Sequence, residues 1–374
     1  MDLNNLNLKI RMFSPYVSPN SMAHVEKVLK SRYLGEGPIV KEFESKFSEL
    51  TGAKYPVAVN SGTSALHLSV VMAGVKPGDE VITTAQTMMA TSHSILAQFA
   101  RPVFADIQYE TGNIDPKDIE KRITKKTKAI LPVHWTGYPC DMDEINEIAK
   151  KHNLPVIEDA AHALGASYKK KLIGTISPYT CFSFQAIKHV TTGDGGMITL
   201  DNKEKFDEAR RKRWFGIDRD NRKPSILGEP EWNVNEVGYK YHLNDYCAAL
   251  GLENLKELNQ ILKRREEIVK RYNEELSRIK GIRLFERKSD RKSANWLFSM
   301  HVERRIDFIT TMLKKGIEVS VVHNRIDTND AFGPLRKDLK NLAKFTETHV
   351  SLPLHNYLKD DDVSYILKSI RGGW

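Results

Sequence analysis

The sequence predicts an α/β protein in which a large domain built on a mostly parallel sheet is followed by a smaller C-terminal α/β domain. Three observations lead there. Short apolar runs alternate with stretches of helical periodicity over most of the chain, the order that gives a parallel sheet covered by helices. Two of those runs, 154–158 and 181–184, are apolar at their start and lead into Asp159 and Lys188, as buried strands do when their C-terminal ends open into a site. Beyond about residue 245 the texture changes to a long charged helix and short strands. A chain of 374 residues exceeds one small core. The large domain is set at residues 1–250 and the small one at 251–374.

The elements follow in order. Residues 20–33 carry helical spacing, which Gly35-Glu36-Gly37-Pro38 breaks. Val40, Phe43, Phe47 and Leu50 fall on one face of a helix over 39–50. Residues 55–59 read as a strand, 60–64 as a turn and 65–73 as a helix. The turn Lys76-Pro77-Gly78-Asp79-Glu80 leads into a strand at 81–83. A helix at 91–100, a strand at 102–106 and a helix at 115–123 opened by Pro116 come next. Strand 129–133, helix 142–152 and strand 155–158 continue the alternation. After Lys188 the glycine-rich turn 191–196 leads to a strand at 197–200. One long helix is expected from 244 to about 279, with charge pairs such as Glu267 with Arg271. Strands near 282–284 and 296–302, a helix at 306–315, a strand at 317–321 and a helix at 361–370 complete the small domain.

A hydrophobic content of 40% and a charged content of 28% are those of a soluble globular protein. The net charge is +9, but acids are interspersed with the basic residues. In the densest stretch, 203–223, Arg210-Arg211-Lys212-Arg213 lies among Glu204, Asp207, Glu208, Asp218 and Asp220. That is the pattern of a solvated helix face. The same charge would draw in an anionic substrate such as a diphosphate. No nucleic-acid-binding motif accompanies it, so no nucleic-acid partner is expected. No apolar run is long enough to span a membrane, and MDLNNLNLKIRMF lacks the apolar core of a secretory leader. The three cysteines, Cys140, Cys181 and Cys247, are widely spaced without a CxxC. Neither a metal site nor a disulfide framework is expected, and reduced thiols suit a cytoplasmic protein.

Asn60-Ser61-Gly62-Thr63-Ser64-Ala65-Leu66 forms a strand–turn–helix element. Gly62 lets a ligand approach the backbone, free N–H groups open the helix, and the hydroxyls of Thr63 and Ser64 add donors, which together suit a phosphate ester. The same residues also serve as ordinary caps. Asp159 ends a buried run, where a carboxylate is costly unless paired. His162 follows three residues later, on the same side of a helical turn. An enclosed lysine amine such as that of Lys188 becomes a nucleophile toward aldehydes. Ser183 lies close enough in sequence to serve the same phosphate. In open α/β sheets ligands sit at the strands' carboxyl ends. An acid and a lysine placed there fit pyridoxal 5′-phosphate, which needs an amine linkage and a protonated ring nitrogen.

The blocks NSGTSALHLS, GDEVIT, KTKAILPVHWTGYPCDMDEI, LPVIEDAAHALGA, CFSFQAIKHVTTGDGGMI and VGYKYHLNDYCAALGL occur in this order. Through them the chain resembles the DegT/DnrJ/EryC1/StrS family of sugar aminotransferases over about residues 11–256, with weaker similarity beyond. The resemblance implies the type I fold of pyridoxal phosphate enzymes, with a seven-stranded sheet in the large domain. It also implies a homodimer with sites at the subunit interface. By the same resemblance Lys188 is the Schiff-base lysine, Asp159 pairs with the pyridine nitrogen and His162 lies near the ring hydroxyl. Ser183 with Gly62, Thr63 and Ser64 holds the phosphate. Two positions depart from the family pattern. Met88 stands where an aromatic residue usually stacks on the ring, and a thioether also packs on a ring face. Lys240 or His242 stands where an asparagine usually reaches the partner chain's phosphate. Trp296, His323 and Arg325 are candidates for the sugar-nucleotide end, and ordinary packing in the small domain would also account for them.

Relatives with histidine in place of the lysine dehydrate their substrates, so Lys188 favours transamination. The activity implied is transfer of an amino group from L-glutamate to a nucleotide-linked 4-keto-6-deoxyhexose, through pyridoxamine 5′-phosphate. A 3-keto-sugar aminotransferase and a non-catalytic pyridoxal phosphate-binding regulator are the alternatives.

Overall fold

The computed structural model describes residues 7–221 and 223–374. The first six residues of the N-terminal stretch read for a leader lie outside it, as does Arg222 within the basic stretch. The large sheet comprises β1 (Tyr55–Val59), β2 (Glu80–Thr84), β3 (Arg101–Ala105), β4 (Thr127–Ile130), β5 (Ile157–Asp159), β6 (Tyr179–Ser183) and β7 (Gly196–Leu200). Four strands run in the order β1–β7–β6–β5 and three in the order β3–β2–β4. Parallel bridges Ile130–Val156 and Val133–Asp159 join β4 to β5, which makes a single sheet of seven. β7 is antiparallel to both its neighbours, and the other pairings are parallel. The mostly parallel seven-stranded sheet expected from the sequence is present.

Successive strand residues feed opposite faces, as the two-residue strand period requires. Ile82, Phe182 and Met197 enter one core cluster, and Val81, Cys181 and Ile198 enter another. Both faces are buried because helices cover both. α1 (Ser21–Ser31), α2 (Pro38–Thr51), α5 (Pro116–Arg122) and α6 (Met142–Lys151) lie in the order expected. α3 (Gly62–Met72) is buried from Ser64 to Val70. α4 (Met89–Leu96) is shorter than the sequence suggests, because Phe99 takes a left-handed conformation (φ 54°) just beyond it. α7 (Lys203–Lys212) carries the basic stretch.

The long helix expected over 244–279 is two helices, α8 (Asp245–Lys256) and α9 (Leu258–Leu276), which meet at Glu257 (ψ 4°). The break falls where the chain leaves one core for another. Leu252, Leu255 and Leu258 pack in the sheet's core, whereas Ile268, Tyr272 and Leu276 pack in a second cluster. Glu267 turns back to Arg264 (3.6 Å) and Arg271 pairs with Glu275 (3.2 Å), in place of the expected Glu267–Arg271 pair. The second cluster sits on an antiparallel sheet of β8 (Ile282–Leu284), β9 (Phe298–Val302) and β10 (His349–Leu352). α10 (Arg305–Lys314), α11 (Lys340–Thr348) and α12 (Asp360–Arg371) surround it. The expected strand at 317–321 is reduced to single bridges at Ile317 and Ser320. Ile10 bridges Ile317 and joins the second cluster, so the N-terminal segment packs against the C-terminal part of the chain.

Arg213 is fully buried behind the sheet. Its guanidinium donates to Glu44 and Glu36, each at 2.6 Å, and to the Ala58 carbonyl at 2.8 Å. Removing one partner of such a cluster strands the remaining charges in a low dielectric. Arg213→Met is therefore expected to lower the unfolding free energy by about 3–5 kcal/mol. Urea denaturation measures this, and a stability equal to wild type would show that the two glutamates are solvated without the arginine.

Candidate active site

The ends of β1, β5 and β6 lie at the same edge of the sheet. β1 runs into the turn Asn60-Ser61 that starts α3. Ser61 is its N-cap and accepts from the Ser64 N–H at 3.0 Å. The Ser64 hydroxyl donates to Asn60 Oδ1 at 2.6 Å. The first N–H groups of a helix have no intrahelical acceptor and point outward. Ser183, which ends β6, faces this turn. A Cβ on Gly62 would stand 2.9 Å from the Ser183 Cβ, so only glycine lets the two segments come this close. Gly62, followed by Thr63 and Ser64 at the start of α3, thus meets Ser183 at the end of β6, an arrangement whose helix start suits an anion.

Asp159 ends β5 and is buried. Thr91 of α4 donates to Oδ2 at 2.7 Å and the Ala161 N–H to Oδ1 at 3.1 Å. Burial nevertheless holds its pKa above the usual carboxylate value. The Lys188 amine stands 3.9 Å from the Trp296 ring centroid. Burial lowers its pKa from 10.5 to about 7, against the pull of Asp159 in the other direction. His162 stacks on Trp296, with centroids 3.7 Å apart and planes within 12°. Its Nδ1 is buried without a hydrogen-bond partner, and burial holds the ring well below its ordinary pKa, hence neutral. His323 lies 6.0 Å from His162 and nearly parallel to it, with burial lowering its pKa to about 4. Trp135 closes the group, 5.8 Å from both histidines.

The fold therefore brings Lys188, Asp159, His162, Trp296 and His323 together, and separately brings Gly62 of the Gly62–Ser64 turn against Ser183. Met88 is the N-cap of α4, 47% exposed and one turn from Thr91. Lys240 and His242 both pack on Trp214, at 3.3 Å and 4.0 Å. Their segment runs along the end of β1, where the Tyr241 carbonyl accepts from the Asn60 N–H at 2.7 Å. Two candidates for the sugar-nucleotide end have other partners. Trp296 is fully buried beneath His162, and its indole N–H donates to the Ile187 carbonyl at 3.0 Å. Arg325 is buried and held by both carboxylate oxygens of Asp327, at 2.7 and 2.6 Å, and by the Arg336 carbonyl. The sequence reading missed Thr91 and Trp135. Trp135 lies inside one of the quoted blocks, and Thr91 follows Thr87 at helical spacing.

These residues fit pyridoxal phosphate. A buried carboxylate with a raised pKa gains from a cationic N–H donor. His162, with its orphaned Nδ1, and Lys188 both lie against the Trp296 ring, and the glycine-lined helix start suits a phosphate. The model of the DegT/DnrJ/EryC1/StrS aminotransferase family matches residues 15–371. The chain belongs to this family. It is 34% identical over 373 residues to the UDP-4-amino-4-deoxy-L-arabinose–oxoglutarate aminotransferase of Shewanella sediminis, covering 95% of this chain and 96% of that protein. Sugar aminotransferase CalS13 from Micromonospora echinospora superposes with a TM-score of 0.93 at 34% identity, covering 98% and 100% of the two chains. The PLP form of the Streptococcus pneumoniae protein Spr1654, a sugar aminotransferase by description, gives 0.90 at 30% identity, covering 97% and 98%. This DegT-family aminotransferase takes pyridoxal phosphate as its cofactor and has the fold of its sugar-aminotransferase relatives. Among the described residues no helix is long and apolar enough to cross a membrane.

The geometry fixes a measurable titration. In the aminotransferase freed of cofactor, Lys188 should react with an amine-directed reagent with a midpoint near pH 7, well below the ordinary 10.5. Because the Asp159 carboxylate favours the ammonium form, Asp159→Asn should move the midpoint lower still. Labelling rate against pH, read by peptide mass spectrometry, measures both. A midpoint near 10 in the wild type would show that the amine is solvated.

Proposed function

We propose that the protein moves an amino group from L-glutamate to C4 of a nucleotide-linked 4-keto-6-deoxyhexose, with Lys188 as the proton-carrying catalytic residue. The observation that carries this reading is the Lys188 amine, enclosed over Trp296 on the same side as Asp159, in a chain similar to a UDP-4-amino-4-deoxy-L-arabinose–oxoglutarate aminotransferase. When bound, pyridoxal phosphate supplies a carbonyl that carries the amino group and a ring that draws electrons from the reacting carbon. Asp159 would hold a proton on the ring nitrogen. Its raised pKa shows a carboxylate short of compensating charge, which a pyridinium N–H provides. Gly62, Thr63, Ser64 and Ser183 would hold the phosphate, and neutral His162 would offer Nδ1 to the ring hydroxyl.

A lysine with a pKa near the working pH both takes up and releases protons readily. That is what a group serving first the donor carbon and then the sugar carbon needs. The indole of Trp296 supports the Lys188 amine while it does so, and Trp135 and His162 pack beside that ring.

We read the working unit as a homodimer with Lys240 or His242 directed at the partner's phosphate. Exposed apolar side chains on the neighbouring segment, Ile226, Leu227, Trp232 and Val237, support an interface there. His323, which keeps a buried Nε2 without a partner, is retained as a contact for the sugar.

The test supplies glutamate with dTDP-, UDP- and GDP-linked 4-keto-6-deoxy sugars and follows 2-oxoglutarate. A sugar-dependent release and a 4-amino product are expected, and Lys188→Ala should lower turnover by about 10²–10⁴-fold. The free keto-sugar should react far more slowly, since each charge-assisted contact to the diphosphate contributes about 1.5–3 kcal/mol. Amination at C3 would overturn the regiochemistry. Cofactor binding without turnover of any keto-sugar would point to a regulator.

A further inference from the structure

Consecutive residues of a strand face opposite ways. While Asp159 opens into the site, Glu158 turns to the other face of the sheet and is fully buried. Its Oε2 accepts from His134 Nε2 at 2.7 Å, and His134 is equally buried. His134 Nδ1 accepts the Cys140 N–H at 3.1 Å, which leaves the ring proton on Nε2. Its backbone N–H donates to the Asp159 carbonyl at 3.1 Å. His134 is thus held at three points, one of them the backbone of the cofactor-facing aspartate.

The turn that His134 begins reaches every ring around Lys188. Trp135 is its next residue and packs edge-on to His162. The Thr136 carbonyl accepts from the Trp296 N–H at 3.0 Å, and the Gly137 carbonyl from the Ala294 N–H at 3.0 Å. Gly137 has φ 93°, and a Cβ there would stand 2.6 Å from the His162 carbonyl and 3.1 Å from the Trp296 nitrogen. Thr136 is left-handed at φ 58° although it is not glycine, a conformation that persists only where the surroundings impose it. The turn is wedged between the two segments that carry His162 and Trp296.

We propose that Glu158 and His134 are positioning residues for the cofactor site: their buried pair locks the 134–137 turn, and the turn sets Trp135, His162 and Trp296 around Lys188. This inference rests on the cofactor reading above. Stability alone is a poor explanation for the pair, because replacing both partners of a buried hydrogen bond by apolar groups of similar shape is commonly close to neutral. A supporting group that orients a site is worth about 10–100-fold in affinity or activity where it has been removed.

The test compares wild type, Glu158→Gln and the double variant His134→Phe/Glu158→Leu. Glu158→Gln keeps an acceptor for Nε2–H and should bind pyridoxamine phosphate, followed by fluorescence titration, as wild type does. The double variant should keep its melting temperature yet bind pyridoxamine phosphate about 10–100-fold more weakly, with kcat lowered and KM for glutamate little changed. A folded double variant with wild-type affinity and kcat would overturn the proposal. So would a large loss in Glu158→Gln at unchanged stability, because charge rather than the geometry of the bond would then be acting. If the double variant does not fold, hydrogen exchange on the wild-type holoenzyme decides. The 134–137 amides should exchange as slowly as those of the flanking strands, and exchange at the rate of exposed loops would overturn the proposal. Wild type that binds no pyridoxamine phosphate would instead sink the cofactor reading itself.

Discussion

The structure depends on placing a buried carboxylate and a partly buried amine at the same end of a sheet without pairing them directly. Asp159 spends its oxygens on Thr91 and the Ala161 amide, and Lys188 rests its amine on an indole. Each feels the other, since the carboxylate draws the lysine pKa upward and the lysine draws the aspartate's downward. Desolvation outweighs that attraction for both, so each group is held away from its ordinary ionisation. A group that carries a cationic N–H to one and accepts the other's amine relieves both costs at once. The seven-stranded sheet is what makes the arrangement affordable. It delivers both segments from buried parallel strands whose positions are fixed by packing on two faces.

Stiffness around the pair comes from beneath. The edge of the site is made of turns, which by themselves tolerate many conformations. Here they are cross-tied. Gly62 presses on Ser183, the 134–137 turn clasps both the His162 and the Trp296 segments, and Asn254 bridges the Ser18 amide and the Thr191 carbonyl. The last of these ties the N-terminal strap to the loop that follows Lys188.

Much of this was legible in the sequence. The alternation of strands and helices, the close turn at Gly62 and the placing of Asp159 and Lys188 after apolar runs depend on local patterns, namely a two-residue or 3.6-residue period, a glycine in a tight turn, and a polar residue ending an apolar run. What escaped depends on distant partners. The helix over 244–279 has continuous periodicity, and only the change of core at Glu257 divides it. α11 and β10 were missed because polar residues interrupt their apolar spacing and burial comes from β9 and Tyr109. Trp296 and Arg325 were named as candidates for the sugar-nucleotide end with ordinary packing as the other reading. Their contacts to the Ile187 carbonyl and to Asp327 depend on the tertiary fold.

The distribution of charge differs between the surface of this protein and its site. The formal net charge is +9, yet the histidines around the site are uncharged. His162 and His323 lie deep enough that burial keeps them neutral, and His242 is lowered to about 4 by burial beside Lys240. Lys188 itself is balanced near neutrality. Outside, Arg210 and Arg219 are paired with Asp220 and Glu36, and the exposed Lys240 amine lies over the Trp214 ring, where its charge acts through solvent over a Debye length of about 8–10 Å. An anionic ligand would feel that charge less as salt rises. Inside, it meets aromatic rings and a proton-exchanging amine, a site whose net charge is set by what enters it.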